Sequence, residues 1–256
     1  MSQEQDAGAE QPLMVHLLEL RSRLLAAIVG FVIALAPMAY FAKDIYRVAA
    51  APLLRLMPPG SSMIATEVAS PFLAPLKLAA IFAAALSMPW TLWQIWGFVA
   101  PGLYKSEKRL AMPLMVSSTL LFYSGIAFAY FLVLPTVFKF LLAVAPEGVA
   151  VMTDINHYLD FVLSLFFAFG LAFETPVAIV LIVATGFVTP GQLTKHRDYV
   201  FVGAFVVAAV LTPPDIGSQI LLAIPLYLLY ELGIIAARLM VPGSREVDAQ
   251  KNAQAG

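Results

Sequence analysis

Leu211-Thr-Pro-Pro-Asp215 interrupts an apolar stretch that runs from Tyr199 to Leu229, and its reading decides how often the chain crosses a membrane. Proline cannot continue a helix and disfavours helical geometry in the residue before it. Two adjacent prolines beside an aspartate therefore suit a solvent-facing turn. The flanking runs, Tyr199–Leu211 and Ile216–Leu229, each cover only roughly 20 Å at about 1.5 Å per residue. They form either one interrupted span or two short spans joined by the turn.

The rest of the chain has no such ambiguity. Hydrophobic residues make up 61% and charged residues 12%, against about 25% charge in soluble domains, and mean hydropathy is +0.87. This is the composition of an integral membrane protein. Leu24–Phe41, Leu78–Ala100, Leu110–Phe138 and Phe161–Val188 each approach or exceed the length of about 20 apolar residues that a span needs. Lys and Arg placement then settles the parity. With six spans and the N-terminus inside, inner segments hold Arg21, Arg23, Lys105, Lys108, Arg109, Lys195, Arg197, Arg238, Arg245 and Lys251, ten residues against five outside (Lys43, Arg47, Arg55, Lys77, Lys139). A five-span chain weakens this to seven against eight.

The expectation is an all-α integral membrane protein of six transmembrane helices, the fifth and sixth short, with both termini cytoplasmic. One domain covers 1–239, with spans near 24–41, 78–100, 110–138, 161–188, 199–211 and 216–229; residues 240–256 form a disordered cytoplasmic tail. Prolines 37, 89, 176 and 225 fall inside spans, so the helices are expected to kink and the bundle to be concave. Ile45, Val48, Ala49, Pro52, Leu53 and Leu56 recur at helical spacing, as in an amphipathic helix lying on the outer surface. The acidic N-terminus lacks the basic region of a cleaved signal peptide.

Chemistry is sparse. There is no cysteine, and the net charge of −1 gives no reason to expect nucleic-acid binding. His16, His157 and His196 have no metal-ligand spacing, and no phosphate loop or hydrolase motif is present, so neither metal nor cofactor is expected and the chain does not read as an enzyme. Three acids stand out. Glu174 sits near the middle of the apolar run Phe161–Phe187, where a carboxylate is costly and by default functional. It is read as a contact point for a substrate or partner, or a proton acceptor; the bland reading is a protonated acid bonded to a neighbouring helix. Beside it, Pro176 leaves a carbonyl in need of a donor. Glu19, in His16-Leu-Leu-Glu-Leu-Arg-Ser-Arg23, has the spacing of a surface pair with Arg23. Glu107, in Phe98-Val-Ala-Pro-Gly-Leu-Tyr-Lys-Ser-Glu-Lys-Arg109, stands among three cations able to neutralise it. Topology places both acids on the cytoplasmic face, where two carboxylates are able to receive two guanidiniums through charge-assisted bonds.

Taken with Ala168-Phe-Gly-Leu-Ala-Phe-Glu-Thr-Pro176, Leu211-Thr-Pro-Pro-Asp215 and Ser70-Pro-Phe72, these segments resemble, in order and spacing, the TatC family of the twin-arginine protein translocase, above all its enterobacterial type. The resemblance implies a receptor in the bacterial inner membrane for folded proteins carrying an Arg-Arg signal peptide. It further implies self-association, work with single-span TatA and TatB subunits, and drive from the proton gradient. Carried to matching positions, it makes Glu19, Phe98 and Glu107 signal-peptide residues and Pro52, Phe72 and Asp215 positions needed for translocation. Glu174 becomes the acid facing the groove, and Thr212 and Gln219 partner contacts. Ala209, where a bulkier or more polar residue is expected, departs from that contact patch. A proton-coupled small-solute transporter using Glu174 is the rival reading; the chain shows no internal repeat of the kind such carriers are built from. An intramembrane hydrolase lacks a nucleophile–base pair, since Ser164 and Glu174 stand roughly 15 Å apart on one expected helix.

Overall fold

The computed structural model describes residues 3–55, 63–99, 111–144, 153–212 and 216–241. The Phe98–Arg109 loop beyond Val99, the 213–215 turn and the tail beyond Val241 lie outside the described residues. The described chain is almost wholly helical: α1 Gln3–Tyr40, α2 Ala42–Leu54, α3 Ser70–Val99, α4 Ala111–Phe128, a π-helical turn Ala129–Val133, α5 Leu134–Val144, α6 Ile155–Ala172, α7 Thr175–Ala184, α8 Pro190–Lys195, α9 Arg197–Leu211 and α10 Ile216–Met240. Among the described residues, five stretches are long and apolar enough to cross a membrane: Leu17–Tyr40, Ser70–Phe98, Met112–Val144, Ile155–Ala184 and Ile216–Met240. α9, at 15 residues, covers about 22 Å and is short as expected.

The segment expected to be short and to stop at Leu229 is not short. It continues as α10 for 25 residues. Past Leu229 the helix carries Glu231, whose carboxylate is held by Arg197 at 2.6 Å and Tyr227 at 3.0 Å. Two starts are also earlier than expected. Asp154 accepts from the amides of Asn156 and His157 and caps α6 at Ile155 rather than Phe161. Asn156 in turn donates to Ser70 at 2.6 Å, which fixes the beginning of α3 eight residues before Leu78. The amphipathic α2 forms as expected, packing one face into protein and leaving Lys43, Asp44, Arg47 and Val48 exposed on the other. Ala49 and Ala50 are fully buried, and the Tyr158 hydroxyl donates to the Ala49 carbonyl at 2.6 Å.

α1 packs chiefly on α3; α3 also meets α2, α4 and α6; α7 rests on α10, and α10 on α8 and α9. One apolar cluster centres on Leu134, Phe138, Tyr158, Leu159 and Phe169. A second, around Trp96, Val180, Tyr230 and Ile234, lies toward the other end.

Prolines shape the helices through the donors they remove. A proline leaves the carbonyl four residues earlier without its helical partner, a heavy cost where no water reaches. Three such carbonyls receive hydroxyls instead. Tyr130 donates to Val48, freed by Pro52, at 2.8 Å; Tyr123 donates to Ala85, freed by Pro89, at 3.0 Å; Thr175 donates to Ala172, freed by Pro176, at 2.6 Å. Ahead of Pro135 the chain instead takes the π-helical turn, in which the Leu134 amide reaches back to Ala129. Tyr123→Phe and Tyr130→Phe are each expected to cost about 1–2 kcal/mol, read as a lower unfolding free energy in mixed micelles, with helix content unchanged.

Candidate functional site

The last turn of α3 comes against α1 at Glu19 and Arg23. Both Arg23 donors, Nε at 3.1 Å and Nη2 at 2.9 Å, fall on the same Glu19 oxygen, Oε1. Among the described residues no donor reaches Oε2, on a side chain that is 35% exposed. The pair expected from spacing is therefore present, and it is asymmetric. The Arg23 guanidinium lies across Gly97, where an added Cβ would come within 2.1 Å of Nη1. Half-buried Phe98 follows directly. The structure thus brings Glu19 to the α3 turn that holds Phe98, while Glu107 lies outside the described residues.

Glu174 occupies the break between α6 and α7 as the N-cap of α7. It stands 19 residues after Ile155 and 10 before Ala184, so it lies toward the Glu19 end rather than at mid-span. Its Oε2 accepts from the hydroxyl of Ser118, a side chain 1% exposed on α4. Oε1 is buried and has no hydrogen-bond partner among the described residues. The carbonyl that Pro176 frees turns to Thr175, not to Glu174. α4 reaches this position because it closes on α6 at Gly125, where a Cβ would sit 2.4 Å from the Phe169 carbonyl oxygen.

At the C-terminus of α9, buried Thr212 donates its hydroxyl to Ala208 at 2.8 Å. Gln219 on α10 donates to the Phe205 carbonyl at 3.1 Å. Thr212 thus closes the last turn of its own helix and Gln219 ties α10 to α9, while Val206, Ala209 and Val210 face outward. Asp215 lies outside the described residues. At the end opposite Glu19, Pro52 is buried in α2 and Phe72 is 70% exposed on the first turn of α3.

That end also holds a polar cluster that sequence reasoning missed. Asp154 accepts from the Thr66 hydroxyl at 2.7 Å and the Thr66 amide at 3.0 Å, tying the approach to α3 onto α6. These bonds, the hydroxyl first, lower its carboxyl from the ordinary 3.8 to about 2, against the opposing effect of desolvation. A depressed carboxylate stabilises the fold above its unfolded value, and the contribution is lost as pH falls through the folded one. The melting temperature is therefore expected to drop between pH 4 and pH 2, and Asp154→Asn to flatten that drop. Ser118 was missed as well, although Ser117-Ser118-Thr119 is a polar run inside an apolar span. The Arg197–Glu231 pair went unread because its members stand 34 residues apart.

An all-helical chain with five apolar stretches and a sheltered intramembrane acid is a multi-pass membrane protein. Residues 15–225 match the family of the Sec-independent protein translocase protein, TatC, and the chain belongs to that family. It is 56% identical over 234 residues to the Sec-independent protein translocase protein TatC of Azotobacter chroococcum mcd 1, covering 91% of this chain and 92% of that one. To the Escherichia coli strain K12 protein of the same name it is 55% identical over 235 residues, covering 92% and 91%. A crystal structure described as the twin arginine translocase receptor TatC superposes with a TM-score of 0.74 at 39% identity, covering 88% of this chain and 99% of that one.

Proposed function

We propose that the chain is the signal-peptide receptor of a twin-arginine translocase in the bacterial cytoplasmic membrane, crossing it six times with both termini in the cytoplasm. The observation that supports this reading is the Glu19 carboxylate, steadied on one oxygen by Arg23 against the turn that holds Phe98, with no partner on the other among the described residues. A guanidinium of the peptide binds Glu19 Oε2, Phe98 flanks it, and Glu107 on the following loop takes the second guanidinium. The apolar part of the peptide runs along the bundle toward Glu174. Thr212, Gln219 and the outward face of α9 receive single-span TatA- and TatB-type partners. Pro52, Phe72 and Asp215 serve translocation, copies of the chain associate, and the proton gradient supplies the energy.

A transporter using Glu174 fits less well, since the family is that of a protein translocase component and Ser118 already engages the carboxylate. Titrating the purified chain with an Arg-Arg signal peptide and its Lys-Lys counterpart tests the proposal, because two Lys ammonium groups cannot make the bidentate, planar contacts that guanidinium makes. Equal affinity for the two peptides refutes it.

A further inference from the structure

A pocket of about 300 Å³ opens where α2 ends against the π-helical turn and α5, lined by Pro52, Arg55, Tyr130, Phe131, Pro135 and Lys139. Its walls are apolar and its rim carries two cations. Arg55 and Lys139 are both exposed, and neither forms an ion pair among the described residues. Two other cations at this end are already matched, Arg47 with Asp44 and Lys77 with Asp160. Among the described residues no acidic side chain lines the pocket. The two cations are held together by design of the backbone: the Tyr130 hydroxyl fastens the end of α2 to the π-helical turn, and the same turn leaves Phe131 74% exposed beside them.

We propose that this pocket binds the headgroup of an anionic phospholipid, with its phosphodiester between Arg55 and Lys139 and an acyl chain along Phe131 and Leu132. Three features select that occupant. Lys139 lies five residues before the end of the apolar stretch Met112–Val144, about 8 Å along the helix, which is the depth of a headgroup region. An apolar wall below a cationic rim matches an amphiphile rather than a free anion. Unmatched paired cations favour a headgroup with net negative charge over a zwitterion, whose ammonium they repel. The proposal requires only that the chain spans a bilayer, and it stands or falls independently of peptide recognition.

The test is a titration of the full chain in uncharged detergent with short-chain phosphatidylglycerol, phosphatidylcholine or inorganic phosphate, read by native mass spectrometry. Phosphatidylglycerol is expected to bind wild type, and the Arg55→Gln/Lys139→Gln variant to bind it about 30-fold more weakly, at about fivefold per cation. Lys43→Gln, an exposed cation elsewhere on α2, is expected to leave binding unchanged. Because both rim side chains are exposed, the double variant should melt with wild type in the absence of lipid; Lys139→Gln alone gives the second reading, a fivefold loss. Equal binding of phosphatidylcholine, equal binding of inorganic phosphate, or undiminished phosphatidylglycerol binding by the double variant overturns the proposal.

Discussion

Glu19→Gln is expected to weaken binding of an Arg-Arg signal peptide by roughly 10- to 100-fold, the range set by about 1.5–3 kcal/mol for a hydrogen bond to a charged group. Glutamine keeps the shape and loses the charge, so the neutral oxygen that remains binds guanidinium only weakly. Glu107→Gln is expected to act similarly, and the two losses to approach additivity if each acid takes one arginine. Isothermal titration with the purified chain measures all three variants. The competing account treats Glu19 as nothing more than the surface partner of Arg23. On that account Glu19→Gln costs a few tenths of a kcal/mol of stability and leaves peptide affinity alone. Arg23→Gln separates the accounts further. It releases Oε1 and should preserve or strengthen peptide binding, whereas a purely structural pair predicts the same small loss from either side. Wild-type affinity in the Glu19→Gln/Glu107→Gln double variant would rule out the two-carboxylate site.

Gly125→Val should be the most damaging single change to the fold. The new Cβ would lie 2.4 Å from a backbone oxygen, Phe169 O, and 2.8 Å from the carbonyl carbon. Neither atom yields without moving α6 as a whole. The crossing is tight from the other side too, since a Cβ on Gly170 would meet Phe122 at 2.7 Å. Small residues let transmembrane backbones approach in this way. The expected loss is about 2–4 kcal/mol, seen as a lower melting temperature and a poor yield of folded protein. Gly203→Ala is the control. Nothing lies within 4 Å of its added Cβ, and alanine favours a helix over glycine by up to about 1 kcal/mol, so it should be neutral or stabilising. The damage at Gly125 reaches the functional site as well, because Ser118 lies two turns away on the same face of α4. Parting α4 from α6 there should also part Ser118 from Glu174.

Much of this was legible in the sequence because bilayer physics leaves strong marks. The four long apolar runs became four of the five apolar stretches among the described residues, and the spacing of Glu19 and Arg23 became a real pair. Glu174 was noticed because a carboxylate in an apolar run needs a reason. What stayed hidden depends on residues distant along the chain. The last span is expected to end at Leu229, and nothing local shows that Glu231 beyond it is paired with Arg197, 34 positions earlier. Gly125 looks like any small residue until Phe169 is brought against it. The earlier start of α6 needs Asp154, whose partner Thr66 is 88 residues away. Local periodicity reports which face is apolar, but not which distant group makes a polar residue tolerable.

The hydroxyls that replace helical donors beside proline also differ in when they become available. Thr175 is three residues from the carbonyl it serves, so that repair exists as soon as its own helix does. Tyr123 comes 38 residues after Ala85, and Tyr130 comes 82 residues after Val48. On a growing chain, the carbonyls of Ala85 and Val48 emerge first and wait for a tyrosine not yet synthesised. Until α4 and the turn after it arrive, these segments keep an exposed polar group that lipid does not accept. Each of these carbonyls lacks its tyrosine donor until the third apolar stretch comes in beside it. Pro52 and Pro89 thus make membrane insertion a matter of sequence order as well as of hydrophobicity.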